Sequence, residues 1–140
     1  MKFDYLKQPN FSNPNQPWVS RPVIPVKLSR NGKSVQVYAL LDSGADSSLF
    51  HVSLANELGI DLRSGSHQNF FGISGGAGID ASIHKIRIQV IGDPDPFEIE
   101  VGFTDSPGVG AILGQRGFFD HYQVRFERAK EKIELLPPKK

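Results

Sequence analysis

At 140 residues the chain has the length of one domain and enough of it to bury a substantial core. It is 39% hydrophobic and 22% charged, and its net charge of +1 gives no electrostatic reason to expect nucleic acid or an anionic membrane as partner. The absence of cysteine excludes disulfides, thiol catalysis and thiolate metal sites.

The first residues, Met1-Lys2-Phe3-Asp4-Tyr5-Leu6-Lys7, hold no apolar core of signal-peptide length. No stretch approaches the roughly 20 apolar residues of a membrane span. The expectation is a cytoplasmic chain with no membrane contact. Residues 1–20 read as an extended N-terminal arm, because Pro9, Pro14 and Pro17 combine with Asn10, Asn13 and Asn15 and no apolar period appears. Trp18 is expected to anchor this arm to a single domain over residues 21–138.

From residue 22 the pattern turns strand-like. Val23, Ile24 and Val26 lead to Asn31-Gly32, a dipeptide suited to the positive φ angles of a tight hairpin. Val35, Val37 and the run Ala39-Leu40-Leu41 supply the returning strand. Val52 to Leu58 has helical spacing, with Gly59 placed as a C-terminal cap. Two later segments alternate with a period of two: Ile86, Ile88 and Val90, then Phe97, Ile99, Val101 and Phe103. Gly92-Asp93-Pro94-Asp95-Pro96 is the turn between them. Ala111-Ile112-Leu113-Gly114 reads as a short buried strand entering a turn, followed by a brief helix over 115–121. A hairpin of Gln123–Glu127 with Lys132–Leu136 closes the chain. Many short strands with frequent glycine and proline predict an all-β fold, a closed or sandwich-like barrel.

The run Leu40-Leu41-Asp42-Ser43-Gly44-Ala45-Asp46 carries the chemistry. A buried strand that ends in Asp-Ser-Gly holds a carboxylate at the rim of a cleft, where it either caps a turn or reacts. Asp46 either caps a second turn or has a functional role beside Asp42. Phe70-Phe71-Gly72-Ile73-Ser74-Gly75-Gly76-Ala77-Gly78 is either a flexible loop or a lid with Ile73 at its tip. No lysine follows it, so it does not fit a phosphate-binding loop. The four histidines lack metal-ligand spacing and a paired nucleophile, so neither a metal site nor a Ser–His–Asp hydrolase is expected.

Taken together these runs resemble the retropepsin-like, single-domain aspartic proteases, over residues 22–137. The resemblance implies an all-β retropepsin-like closed barrel of short strands, with a flap hairpin and two short helices. It implies an aspartic endopeptidase in which Asp42, Ser43 and Gly44 form the catalytic loop. Asp46 would contact the substrate main chain, Gly72, Ile73 and Ser74 would form the flap, and Val109, Gly110 and Ile112 would line apolar side-chain pockets. Leu41, Ala45, Leu113 and Gly114 would support the site, the second apolar-apolar-glycine element of the family being Ile112-Leu113-Gly114. No cofactor and no metal are implied.

Peptide hydrolysis by this chemistry needs two carboxylates sharing one proton. The chain has one Asp-Ser-Gly, since Asp105-Ser106 is followed by Pro107. The partner is therefore expected to be Asp42 of a second copy, in a homodimer that takes peptides or unfolded protein as substrate. The alternative is a catalytically silent, dimeric peptide-binding module of the same fold. Two departures from the viral pattern stand out. Gln115 then Arg116 follow Gly114, where viral members carry an arginine directly, and the chain ends in a charged hairpin instead of a short apolar strand. Bacterial members look closer, with a Gly-Phe-Phe-Asp stretch like that at 117–120.

Overall fold

The computed structural model describes residues 1–70 and 78–138. Backbone pairing starts within the arm itself. Strand β1 (Lys2–Asp4) is followed by β2 (Leu6–Pro9), which pairs antiparallel with β3 (Trp18–Arg21). Trp18 does not anchor this segment: it is 62% exposed. What holds the arm is main-chain hydrogen bonding farther upstream, described below.

Strands β4 (Val23–Arg30) and β5 (Lys33–Leu41) form a long hairpin. Asn31 and Gly32 sit at φ of 51° and 81°, as the right-handed strand twist demands of a two-residue turn. Strand β6 (Ser48–His51) runs into helix α1 (Val52–Glu57), which buries Ala55. His51 caps that helix through Nδ1, which accepts from the Ser53 N–H. A turn of 3-10 helix (Leu62–Ser64) leads to β7 (Ser66–Phe70), β8 (Ile79–Val90), β9 (Phe97–Thr104) and β10 (Ala111–Leu113).

The strand order β4-β5-β10-β6-β9-β8-β7 closes on itself because β4 also pairs with β8. Six strands thus make an all-β barrel, and β7 extends β8 outward as a hairpin. Two pairings are parallel, β5 with β10 and β6 with β9. The first arises where β10 inserts between β5 and β6, the two strands that flank the Asp42 loop. The alternation of β4, β8 and β9 sends Val26, Leu28, Ile86, Ile88, Ile99 and Val101 into the barrel, all at most 3% exposed. Each such side chain contributes about 1.5–3 kcal/mol on burial. A smaller cluster lies outside the barrel, where Ala45, Leu49, Ile79, Ala81, Val109 and Ile112 pack with Phe70 and Ile83.

The short helix expected over 115–121 is present after β10, but kinked. Its turn over Gln115–Phe119 is kinked, with Arg116 extended (ψ 128°) and Gly117 at φ +87°. Asp120 Oδ2 accepts the Gly117 N–H, and a helical bond from the Tyr122 N–H to the Phe118 carbonyl completes the turn.

Strands β11 (Gln123–Glu127) and β12 (Lys132–Leu136) form the closing hairpin, and β1 joins the free edge of β12. One face of this three-stranded sheet is apolar and buries Ile133 and Leu135. The other presents Lys2, Glu134 and Arg125 in one row and Asp4, Lys132 and Glu127 in the next. Opposite signs therefore face each other across the strands, and β12, the last strand, is paired on both sides.

Candidate active site

Asp42 is the first residue beyond β5. Its N–H donates to the Leu113 carbonyl at 3.0 Å, which continues the parallel ladder of β5 and β10 by one rung and fixes where the loop leaves the sheet. Its Oδ1 accepts the Gly44 N–H at 2.9 Å, and its carbonyl accepts the Ala45 N–H at 3.1 Å. The carboxylate is half-buried, while Ser43, Gly44 and Asp46 are exposed and Ala45 is buried beneath them. A Cβ at Gly44 would lie 3.2 Å from Asp42 Oδ1, so a side chain there would crowd the carboxylate.

The loop is braced by the turn after β10. The Gln115 N–H donates to the Ala45 carbonyl at 2.8 Å and the Arg116 N–H to the Asp46 carbonyl at 2.9 Å. Gly114 passes so close to the loop that a Cβ would sit 2.7 Å from the Ala45 oxygen and against the Ser47 carbonyl. Its N–H donates to the hydroxyl of Ser48, which is fully buried. Leu41 and Leu113 are in register and buried below this junction. Leu41, Ala45, Leu113 and Gly114 are thus brought together around one crossing of two loops.

Val109 and Ile112 are 4% and 8% exposed and belong to the outer apolar cluster with Ala45 and Ile79. Gly110 is exposed, and its carbonyl accepts the His51 N–H. Beside them runs a surface groove of about 390 Å³, lined by Gln8, Arg21, Tyr38, Leu40, Gly110 and Ile112 among others. Gly72, Ile73 and Ser74 lie outside the described residues. The stem beneath them is described: β7 and the first part of β8 pair from Ser66↔Ile83 to Phe70↔Ile79.

That stem is rooted by a buried polar chain that the sequence did not signal. Arg30 contacts His84 Nδ1 at 3.4 Å, His84 Nε2 lies 2.7 Å from the Ser82 hydroxyl, and Ser82 donates to the Leu62 carbonyl. Because a guanidinium can only donate, Nδ1 accepts and Nε2 carries the proton. Burial holds the His84 pKa below its ordinary value, and the Arg30 charge pushes the same way. Sequence reasoning also missed the side chain of Gln115, whose amide donates to the Ser43 carbonyl. Its one visible signal was its position directly after Gly114.

Among the described residues no carboxylate hydrogen-bonds Asp42, no group of histidines and acids could hold a metal ion, and no helix is long and apolar enough to cross a membrane. A closed six-stranded barrel that ends one strand in an aspartate loop and crosses it with a glycine turn is the retropepsin-like fold. The model of the family described as aspartyl protease matches residues 24–116, and the chain belongs to that family. Among solved structures, a retropepsin-like aspartic protease from Rickettsia conorii is similar at a TM-score of 0.61, with 14% identity over 97% of this chain and 98% of that one. The EIAV protease complexed with the inhibitor HBY-793 is similar at a TM-score of 0.49, with 23% identity over 77% of this chain and 88% of that one. Comparison with curated proteins gives no match.

Proposed function

We propose that the chain is a homodimeric aspartic endopeptidase whose active site forms where the Asp42 loops of two copies meet. The observation that carries this reading is the loop itself. A half-buried Asp42 carboxylate accepts the Gly44 N–H while the Asp42 backbone N–H donates to the Leu113 carbonyl, on a loop crossed by a second one, in a member of the aspartyl protease family. The chain supplies one such carboxylate, so the second comes from another copy.

In this reading the two Asp42 carboxylates share one proton. Like charges about 3 Å apart cannot both ionise, which is the established behaviour of aspartic proteases as a class. The ionised member takes a proton from a water as that water attacks the scissile carbonyl, and the protonated member donates to the carbonyl oxygen. Ser43 and Gly44 shape the dyad, and Gly44 lets water and substrate approach without a side chain in the way. Asp46 holds the substrate main chain, Gly72, Ile73 and Ser74 close over it, and Val109, Gly110 and Ile112 line its side-chain subsites. Leu41, Ala45, Leu113 and Gly114 hold the loop in place. Residues 21–138 form the protease domain and residues 1–20 its N-terminal arm.

The test is cleavage of a complex unfolded peptide mixture, read by mass spectrometry. Wild type and Asp42→Asn are compared from about pH 4 to 7, across the carboxyl-dyad range, at several protein concentrations. The expected result is hydrolysis by wild type alone, with specific activity rising with concentration as dimer forms. No cleavage by a folded dimer at any pH would favour the silent peptide-binding module. Activity in a strictly monomeric wild type would overturn the shared dyad.

A further inference from the structure

The side chain of Gln115 spans 72 positions of sequence to donate from Nε2 to the carbonyl oxygen of Ser43 at 2.7 Å. Ser43 directly follows Asp42, so this bond acts on the peptide unit next to the candidate catalytic residue. Two other bonds hold the same loop from the same turn, both from backbone N–H groups, those of Gln115 and Arg116. Any residue type except proline supplies a backbone N–H. The bond to Ser43 is the one that a particular side chain encodes.

The chemistry of that side chain is specific. A primary amide donates as a lysine or arginine does, but it brings no charge. A cation at this position would stand beside a carboxylate pair that works only while it keeps one proton, and would lower the pH at which that proton leaves. A glutamate of the same length could not donate at neutral pH and would repel the Ser43 carbonyl. The neutral tether also leaves Asp46 alone: among the described residues Asp46 makes no ion pair.

We propose that Gln115 is a positioning residue, a charge-neutral tether that fixes the Ser43 carbonyl and through it the direction of the Asp42 carboxylate, without a cation to displace the working pH of the dyad. This rests on the reading of Asp42 as catalytic.

Three variants separate the parts of the proposal. Gln115→Met keeps length and removes the donor, Gln115→Arg keeps a donor and adds charge, and Gln115→Glu removes the donor and adds the opposite charge. The first readout is independent of turnover: amide hydrogen exchange over residues 42–46. In Gln115→Met it should quicken about five- to tenfold, the size of one net hydrogen bond, with exchange in β8 and β9 unchanged. Unchanged exchange over 42–46 overturns the tether whether or not the protein is an enzyme. The second readout is the pH profile of peptide hydrolysis at concentrations that saturate the dimer. Gln115→Met should lose about five- to tenfold in kcat with KM within about twofold. Gln115→Arg should recover most of that loss while its alkaline limb, where the shared proton leaves, moves to lower pH, and the alkaline limb of Gln115→Glu should move upward. Limbs that coincide in all three variants would overturn the role assigned to neutrality. Absence of Asp42-dependent hydrolysis in wild type would instead sink the functional reading, with exchange still deciding the tether.

Discussion

The hydroxyl of Tyr122 donates to Oδ2 of Asp93 at 2.5 Å and so ties the turn between β8 and β9 to the segment that follows the Gly114 crossing. The ring of Tyr122 is buried, with Phe118 at 5.3 Å and Phe97 edge-on at 5.8 Å between centroids. Only its polar end reaches the turn. The bond to Tyr122, with a second from the Asp95 N–H, holds the Asp93 carboxyl below its ordinary 3.8, and burial together with Asp93 pushes the Tyr122 phenol upward.

Removing that hydroxyl should cost stability in a pH-dependent way. Tyr122→Phe keeps the ring packing and leaves Asp93 one donor short, a loss of about 1–3 kcal/mol for a hydrogen bond to a charged group. A carboxyl whose folded pKa lies below its unfolded value stabilises above the unfolded pKa, and the benefit disappears as pH falls through the folded one. Denaturant unfolding should therefore separate variant and wild type near neutral pH and bring them together as pH falls through the folded pKa of Asp93, which lies below 3.8. Equal midpoints at neutral pH would show that the contact adds nothing.

His84 acts in the same direction but in a higher pH range. Its folded pKa lies below 6.5, so the unfolded chain binds the proton more readily. Stability is unaffected above the unfolded pKa and falls as pH drops below it, until the folded pKa is passed. The groups facing the ring are Arg30 from β4, Asp61 beside the 3-10 turn and His67 from β7, of which only Asp61 favours the charged form. His84→Gln can accept from Arg30 and donate to Ser82 without titrating. Its melting temperature should fall less than that of wild type between about pH 7 and 5. His121, stacked 3.7 Å from Phe97 and also held below its ordinary pKa by burial, leaves part of the slope in both proteins. Identical slopes would remove His84 from the acid sensitivity of the hairpin root.

Much of the barrel was legible because its signals are local. Asn31-Gly32 and the alternation of β8 and β9 act within a few residues of themselves, and the closing hairpin falls on Gln123–Glu127 and Lys132–Leu136 as its pattern predicts. What escaped is non-local. Strand β1 pairs with β12, Phe3 opposite Ile133, and no pattern within residues 1–20 announces a partner so far along the chain. Trp18 suggested an anchor by its size alone, yet the arm is held by backbone bonds and the indole is left in solvent. At the candidate site, Gly44 and Gly114 were visible as residue types that close approach requires. The Gln115–Ser43 bond was not, because a side chain reaching a distant carbonyl leaves no periodic trace.

Surface charge on the terminal sheet should matter little. Glu134 lies 3.3 Å from Arg125 and 4.0 Å from Lys2. Exposed pairs of this kind are worth about 0–1 kcal/mol and are screened by salt. Glu134→Gln should lose no more than about 1 kcal/mol at low ionic strength, and less at about 1 M salt. A larger loss that persists in salt would mean that this sheet depends on its ion pairs rather than on buried Ile133 and Leu135.

The sharpest stability effect should come from Gly114. A methyl group there would meet the carbonyls of Ala45 and Ser47, and both belong to the loop that carries Asp42. The Ala45 carbonyl and Gly114 itself are both held in place. Ala45 oxygen is engaged by the Gln115 N–H, and the Gly114 N–H is itself bound to the buried Ser48 hydroxyl. Gly114→Ala must therefore part the two crossing loops, at a cost of about 3 kcal/mol, the upper end of what overpacking brings. Gly108→Ala is the control, since a Cβ at that position meets nothing within 4 Å. It should stay within about 0.5 kcal/mol of wild type. Urea unfolding of the two variants decides the matter: comparable stabilities would mean that the loops can separate freely, and the crossing would not be what orients Asp42.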